Sequence, residues 1–127
     1  GFLSVTVIDD EDYRPRRCIW AHPSAVGPLS IRFTGVPLGD RVRGHTGMPW
    51  VLARDGVGGH VELELRIGGA SVGRAVHPDP SAWTPFEIPL GPHAGKTADV
   101  ELVVHSDPAP NRPFCFQADS RWGAPPA

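Results

Sequence analysis

No stretch of this sequence approaches the roughly 18 consecutive apolar residues that a membrane-spanning helix requires, and none has the layout of a signal peptide. Direct membrane insertion is therefore not expected, and the chain should be soluble. An excess of one charge is also missing: 12 basic residues are scattered among 14 acidic ones, for a net charge of −2, so no basic stripe exists to follow a phosphate backbone. Nucleic acid is not an expected partner. Long amphipathic helical periodicity is absent, which removes a parallel α/β sheet with crossover helices. The spacings that announce catalysis are lacking as well. There is no HExxH, no HxH, no GxSxG elbow and no pair of carboxylates assignable to a cleft. The run AGKT at 94–97 is not a phosphate-binding loop, because Leu90 stands where its first glycine should be. An enzyme is not expected.

Cysteine is scarce. Cys18 and Cys115 stand almost a domain apart, unlike the paired clusters of zinc sites. Both lie in strand-like runs near the two ends, RRCIW and PFCFQ, so a disulfide is the sharper expectation and two buried thiols the alternative. If the strands are neighbours, such a cross-link adds roughly 2 to 5 kcal/mol.

What the chain has in quantity is glycine and proline, 15 of each, nearly a quarter of its 127 residues. Such a share implies many turns between short elements. Its length fits one domain with one core, spanning 1–127, with a Pro-rich tail at 123–127 that should fray. The start at Gly1 suggests a module cut from a larger protein.

Strand signals recur along the whole chain. Residues 3–8 are β-branched and end at the acidic turn of residues 9–12. In 16–22, Cys18 and Trp20 share one face, with Ile19 and Ala21 on the other. Residues 29–34 alternate, with Leu29, Ile31 and Phe33 inward. Two short strands are expected around 41–45 and 50–54. The clearest period of two runs over 60–67, where Val61, Leu63, Leu65 and Ile67 face one side and Glu62, Glu64 and Arg66 the other. Gly68-Gly69 then fits a tight hairpin into 70–77. Segment 83–90 carries Pro85 and Pro89, which suits an edge, and 100–105 and 113–118 complete the set. Eight or nine short strands without helices predict an all-β fold: a two-sheet antiparallel β-sandwich of the jelly-roll type, with an immunoglobulin-like sandwich as its structural rival.

The runs HVELELRIGG, WTPFEIPL, AGKTADVELVV and FCFQADSRW resemble the second half of galactose-binding-like jelly-roll domains, over about residues 60–122. Trp83 with Phe86, Ile88 and Leu90 carries the first part of the resemblance, and the turn at Ala94, Gly95 and Lys96 the next. This superfamily includes carbohydrate-binding modules, accessory domains of glycosidases and adhesion domains. The resemblance also implies a structural calcium, for which Asp9, Asp10 and Asp12 with Asp119 are candidates. The DDED run departs from the family spacing, and solvated surface acids are the simpler account of it.

Six histidines, His22, His45, His60, His77, His93 and His105, are dispersed, so a zinc or copper site would need assembly by tertiary contacts. His45, His60 and His77 fall at predicted strand ends and could meet at one rim; polar rim residues without a ligand are the plainer account. Four tryptophans offer flat surfaces for stacking on a pyranose. Trp50 with Arg54 in a glycine-rich region, Trp20 with His22, and His45 form the expected ligand-binding platform, while Trp83 and Trp122 are expected to pack. The leading expectation is a non-catalytic carbohydrate-binding or accessory module of an extracytoplasmic (periplasmic or secreted) protein, with glycan and neighbouring domains as partners. The alternatives are a structural or protein-interaction domain and a histidine-based metal-binding protein.

Overall fold

The computed structural model describes residues 2–9, 14–22, 28–47, 61–77, 83–106 and 114–122; for 2–9, 20–22 and 106 it describes the backbone alone. Nine strands are found there: β1 (Phe2–Asp9), β2 (Pro15–His22), β3 (Leu29–Pro37), β4 (Arg41–Gly47), β5 (Val61–Ile67), β6 (Ala70–His77), β7 (Trp83–Pro89), β8 (Thr97–Ser106) and β9 (Phe114–Arg121). A single 3-10 turn, Gly91–His93, lies between β7 and β8. The strand expected at 50–54 and the tail at 123–127 lie outside the described residues.

The strands form two sheets in the orders β1-β2-β9-β4-β7 and β3-β8-β5-β6. All neighbours are antiparallel. The chain changes sheet at every connection except β1 to β2 and β5 to β6, which is the winding of a jelly roll with β1 added beside β2.

Alternation explains the core. Val61, Leu63, Leu65 and Ile67 of β5 are all buried, and Val100, Leu102 and Val104 lie beside them on β8. Val42, Ile88, Phe114 and Phe116 complete the same cluster from the other sheet. Each inward side chain leaves water, contributing roughly 1.5–3 kcal/mol for a fully buried Val, Leu, Ile or Phe.

Local chemistry sets the turns and edges. Gly68 and Gly69 have φ of 61° and 80°, the two positive values of a two-residue hairpin turn, and Ile67 pairs with Ala70 across it. β7 is an edge strand and carries the exposed Pro85 and Pro89, where a missing N–H breaks no ladder. β3 continues past the expected Thr34 to Pro37 through a bulge after Phe33, anchored by the Gly35 N–H donating to Asp99 Oδ1 at 3.0 Å.

Cys18 and Cys115 form the disulfide, with Cα atoms 5.7 Å apart. β2 pairs with β9 through Ile19 opposite Phe116 and Trp20 opposite Cys115, so the two ends of the chain lie side by side. Ile19 and Phe116 face the core, and the two cysteines lie buried on the opposite face of that sheet against Trp83.

Candidate functional site

The strand ends decide where ligand-facing residues gather. β2, β4, β6 and β8 end, and β3, β5, β7 and β9 begin, at one end of the sandwich; Gly47 is paired with both Trp83 and Cys115, and Val61 with both His77 and Ser106. The connections 23–28, 48–60, 78–82 and 107–113 therefore all depart from that end. Trp20 and His22 are among the last three residues of β2, toward that end. Trp50, Arg54 and His60 belong to the connection 48–60, outside the described residues.

From this end a cleft of about 660 Å³ runs along the outer face of the five-stranded sheet. Its walls come from three adjacent strands: Arg43 and His45 of β4, Gln117, Asp119 and Arg121 of β9, and Pro85, Phe86 and Glu87 of β7. On β4 the period of two turns Val42 inward and Arg43 and His45 outward. Gly44 permits the close approach of β4 to β9 beneath the cleft, since a Cβ there would lie 1.8 Å from the Gln117 carbonyl oxygen. At the loop end Trp83 stacks on His45, with ring centroids 5.1 Å apart and planes 10° from parallel. The Arg16 guanidinium lies 5.9 Å from the Trp83 ring centroid. Beneath, Trp83 packs against the disulfide, so the platform rests on a covalent staple.

Most polar groups of the cleft already hold one another. Asp119 Oδ2 accepts hydrogen bonds from Gln117 Nε2 at 2.9 Å and Arg121 Nη2 at 3.2 Å, and Gln117 Oε1 lies 3.4 Å from His45 Nδ1. At the far end Arg41 donates to Asp40 and to Glu87. Those two acceptors, Asp40 first, hold the Arg41 guanidinium charged and raise its pKa further. Arg43 is exposed, and its side chain makes no hydrogen bond or ion pair with any described residue.

Several sequence expectations are corrected here. His45 is not at a strand end, because β4 runs on to Gly47. His77 does end β6, as expected, but its ring is buried, 2.8 Å from Thr46 Oγ1 through Nδ1 and edge-on to Phe114. His45 points outward from β4, whereas His77, on β6 of the other sheet, meets the inward Thr46, so the two do not converge. Trp122 does not pack away; it is 64% exposed beyond β9, over Gly95. Trp83 does pack, and it backs the His45 ring that lines the cleft. Among the described residues no three His, Cys, Asp or Glu side chains are grouped as a metal ion needs.

Of the calcium candidates, Asp10 and Asp12 lie outside the described residues, and Asp9 is described by its backbone alone. Asp119 is exposed with its Oδ2 given to two donors, and the guanidinium beside it disfavours a cation at that oxygen.

Sequence reasoning missed Arg43, Gln117, Arg121 and Glu87. Each sits at an outward position of its strand, and that polarity was visible. What the sequence did not show is that β9, β4 and β7 are neighbours.

The opposite sheet holds a separate network. Glu64 points outward from β5 but is buried, 3.0 Å from His105 Nε2 and 3.4 Å from Arg74 Nη2, while Arg74 Nη1 donates to Glu62 at 2.8 Å. Hydrogen bonds from His105 and then Ser71 hold its carboxyl below the usual carboxylate range, against the opposing effect of burial.

No protein-family model and no curated protein matches the chain. Solved structures do. The chain is similar to a structure of the M60 catalytic domain with the CBM51-1 and CBM51-2 domains of Clostridium perfringens ZmpB, with a TM-score of 0.60 and 16% identity over 94% of this chain. It spans 13% of that ZmpB chain. It is similar to the CBM51 of Clostridium perfringens GH95 in complex with methyl-galactose, with a TM-score of 0.55 and 14% identity over 91% of this chain and 86% of that one. It also matches CBM51-2 in complex with GlcNAc together with the INT domains of ZmpB, at 0.53 and 16% over 91% of this chain and 26% of that one. The nine-stranded sandwich thus shares its fold with these structures.

Proposed function

We propose that this chain is a non-catalytic carbohydrate-binding module of an extracytoplasmic protein. The observation that carries the proposal is the match, over 91% of the chain, to modules of the same fold in complex with methyl-galactose and with GlcNAc. The cleft supplies the chemistry a saccharide needs. Donors and acceptors from Arg43, His45, Gln117 and Asp119 face it, with the flat His45 ring, stacked on Trp83, at one end. Trp50, Trp20, Arg54 and His22, at or bordering the connections of the same end, extend the contact surface in this proposal. The disulfide favours an oxidising compartment.

A glycan array followed by calorimetric titration tests it. Saturable binding of galactose- or N-acetylglucosamine-containing glycans is expected, weakened by Trp83→Ala. Silence across the array would sink the carbohydrate assignment. It would favour an interaction domain instead, for which the exposed Trp122 indole, at the opposite end from the loops, is the supporting observation.

A further inference from the structure

We infer that the sheet-face cleft is selective for a sugar bearing a carboxylate, received by Arg43; this inference rests on the carbohydrate-binding proposal. Arg43 stands directly opposite Glu87 on β7 and Asp119 on β9. Opposite charges facing each other across antiparallel strands ordinarily pair. Neither acid pairs with it here: Glu87 binds Arg41, and Asp119 accepts from Arg121 and Gln117.

The formal charges are distributed unevenly as a result. Arg41 is held by two acids, Asp40 and Glu87. Arg121 and Asp119 balance each other. The uncompensated positive charge is Arg43, nearer the loops, with no partner among the described residues.

A guanidinium presents a planar fork of N–H donors that matches a carboxylate with two parallel hydrogen bonds, a geometry that sugar hydroxyls do not reproduce with charge. His45 lies two residues further along the same face of β4, stacked on Trp83 of the neighbouring β7, and Gln117 stands opposite His45. A pyranose ring over this platform can hold a ring carboxylate toward Arg43. Uronic acids and sialic acids share this chemistry.

The test is calorimetry with methyl galacturonoside, its uncharged methyl ester, sialyllactose and lactose. The ester keeps the shape and removes the charge. On the unaltered protein, at least one acidic sugar is expected to bind about tenfold tighter than its neutral counterpart, a preference that shrinks as salt rises. Arg43→Gln should abolish the preference, and Arg43→Lys, which keeps a point charge without the fork, should retain part of it. Equal binding of acid and neutral forms, or a preference that survives Arg43→Gln in a folded variant, overturns this inference and leaves the carbohydrate assignment standing. Absence of binding to every saccharide, acidic and neutral, overturns both.

Discussion

Glu64 shows what one residue's neighbours do to a pattern read from sequence. Period two placed it on the outward face of β5, and outward it is, but Arg74, His105 and Ser71 close over it and only 6% of its side chain is exposed. Because its folded pKa lies below the unfolded value, Glu64 stabilises the fold at pH above the ordinary carboxylate range. That contribution disappears as pH falls through the folded value. Urea unfolding followed from neutral pH to about pH 3 should show this loss. Glu64→Gln should cost about 1–3 kcal/mol at neutral pH, because buried donors lose a charged acceptor, and should flatten the acid limb. An acid limb of unchanged steepness in the variant would remove Glu64 from this role.

At the scale of elements, the hairpin, the edge strand and the core strands were legible because each depends on residues close in sequence. The Gly68-Gly69 turn is the clearest case: both positions require positive φ, which L side chains adopt at a cost. Gly69→Ala should therefore destabilise by about 1 kcal/mol, while Gly68→Asn, suited to the first position of such a turn, should be close to neutral. Thermal melting of both variants checks the contrast, and equal losses would argue against this turn geometry. The bulge in β3 was not legible, since the acceptor that anchors it, Asp99, lies on another strand 64 residues away. His45 was misjudged for a related reason: β4 extends to Gly47 through its pairing with β7 and β9, which no local signal announces.

On the scale of the molecule, the pairing of β2 with β9 closes the sandwich by joining strands from opposite ends of the chain, and the disulfide fastens that closure. The cysteines are 97 residues apart, so their bond removes a large loop from the unfolded ensemble. Replacing both by alanine should lower stability by about 5 kcal/mol on the chain-entropy account, measured by denaturant titration against the oxidised protein. A loss close to zero would mean that the unfolded chain already keeps its ends together. The same closure places β9 between β2 and β4, and so builds the cleft: Gln117, Asp119 and Arg121 reach Arg43, His45 and Glu87 only because of it.

Alternation of apolar and polar residues determined, from the sequence alone, that the chain is all-β, where most strands run and which side chains form the core, because a pleated strand exposes every second residue to the same side. Contacts between strands decided the rest: the burial of Glu64 and His77, the exposure of Trp122, and an outer sheet face on which three arginines share three acids unequally. Those outcomes depend on which side chains face each other across strands, from the hairpin partner that brings Arg74 over Glu64 to β4 beside β9, a relation that a one-dimensional pattern does not carry.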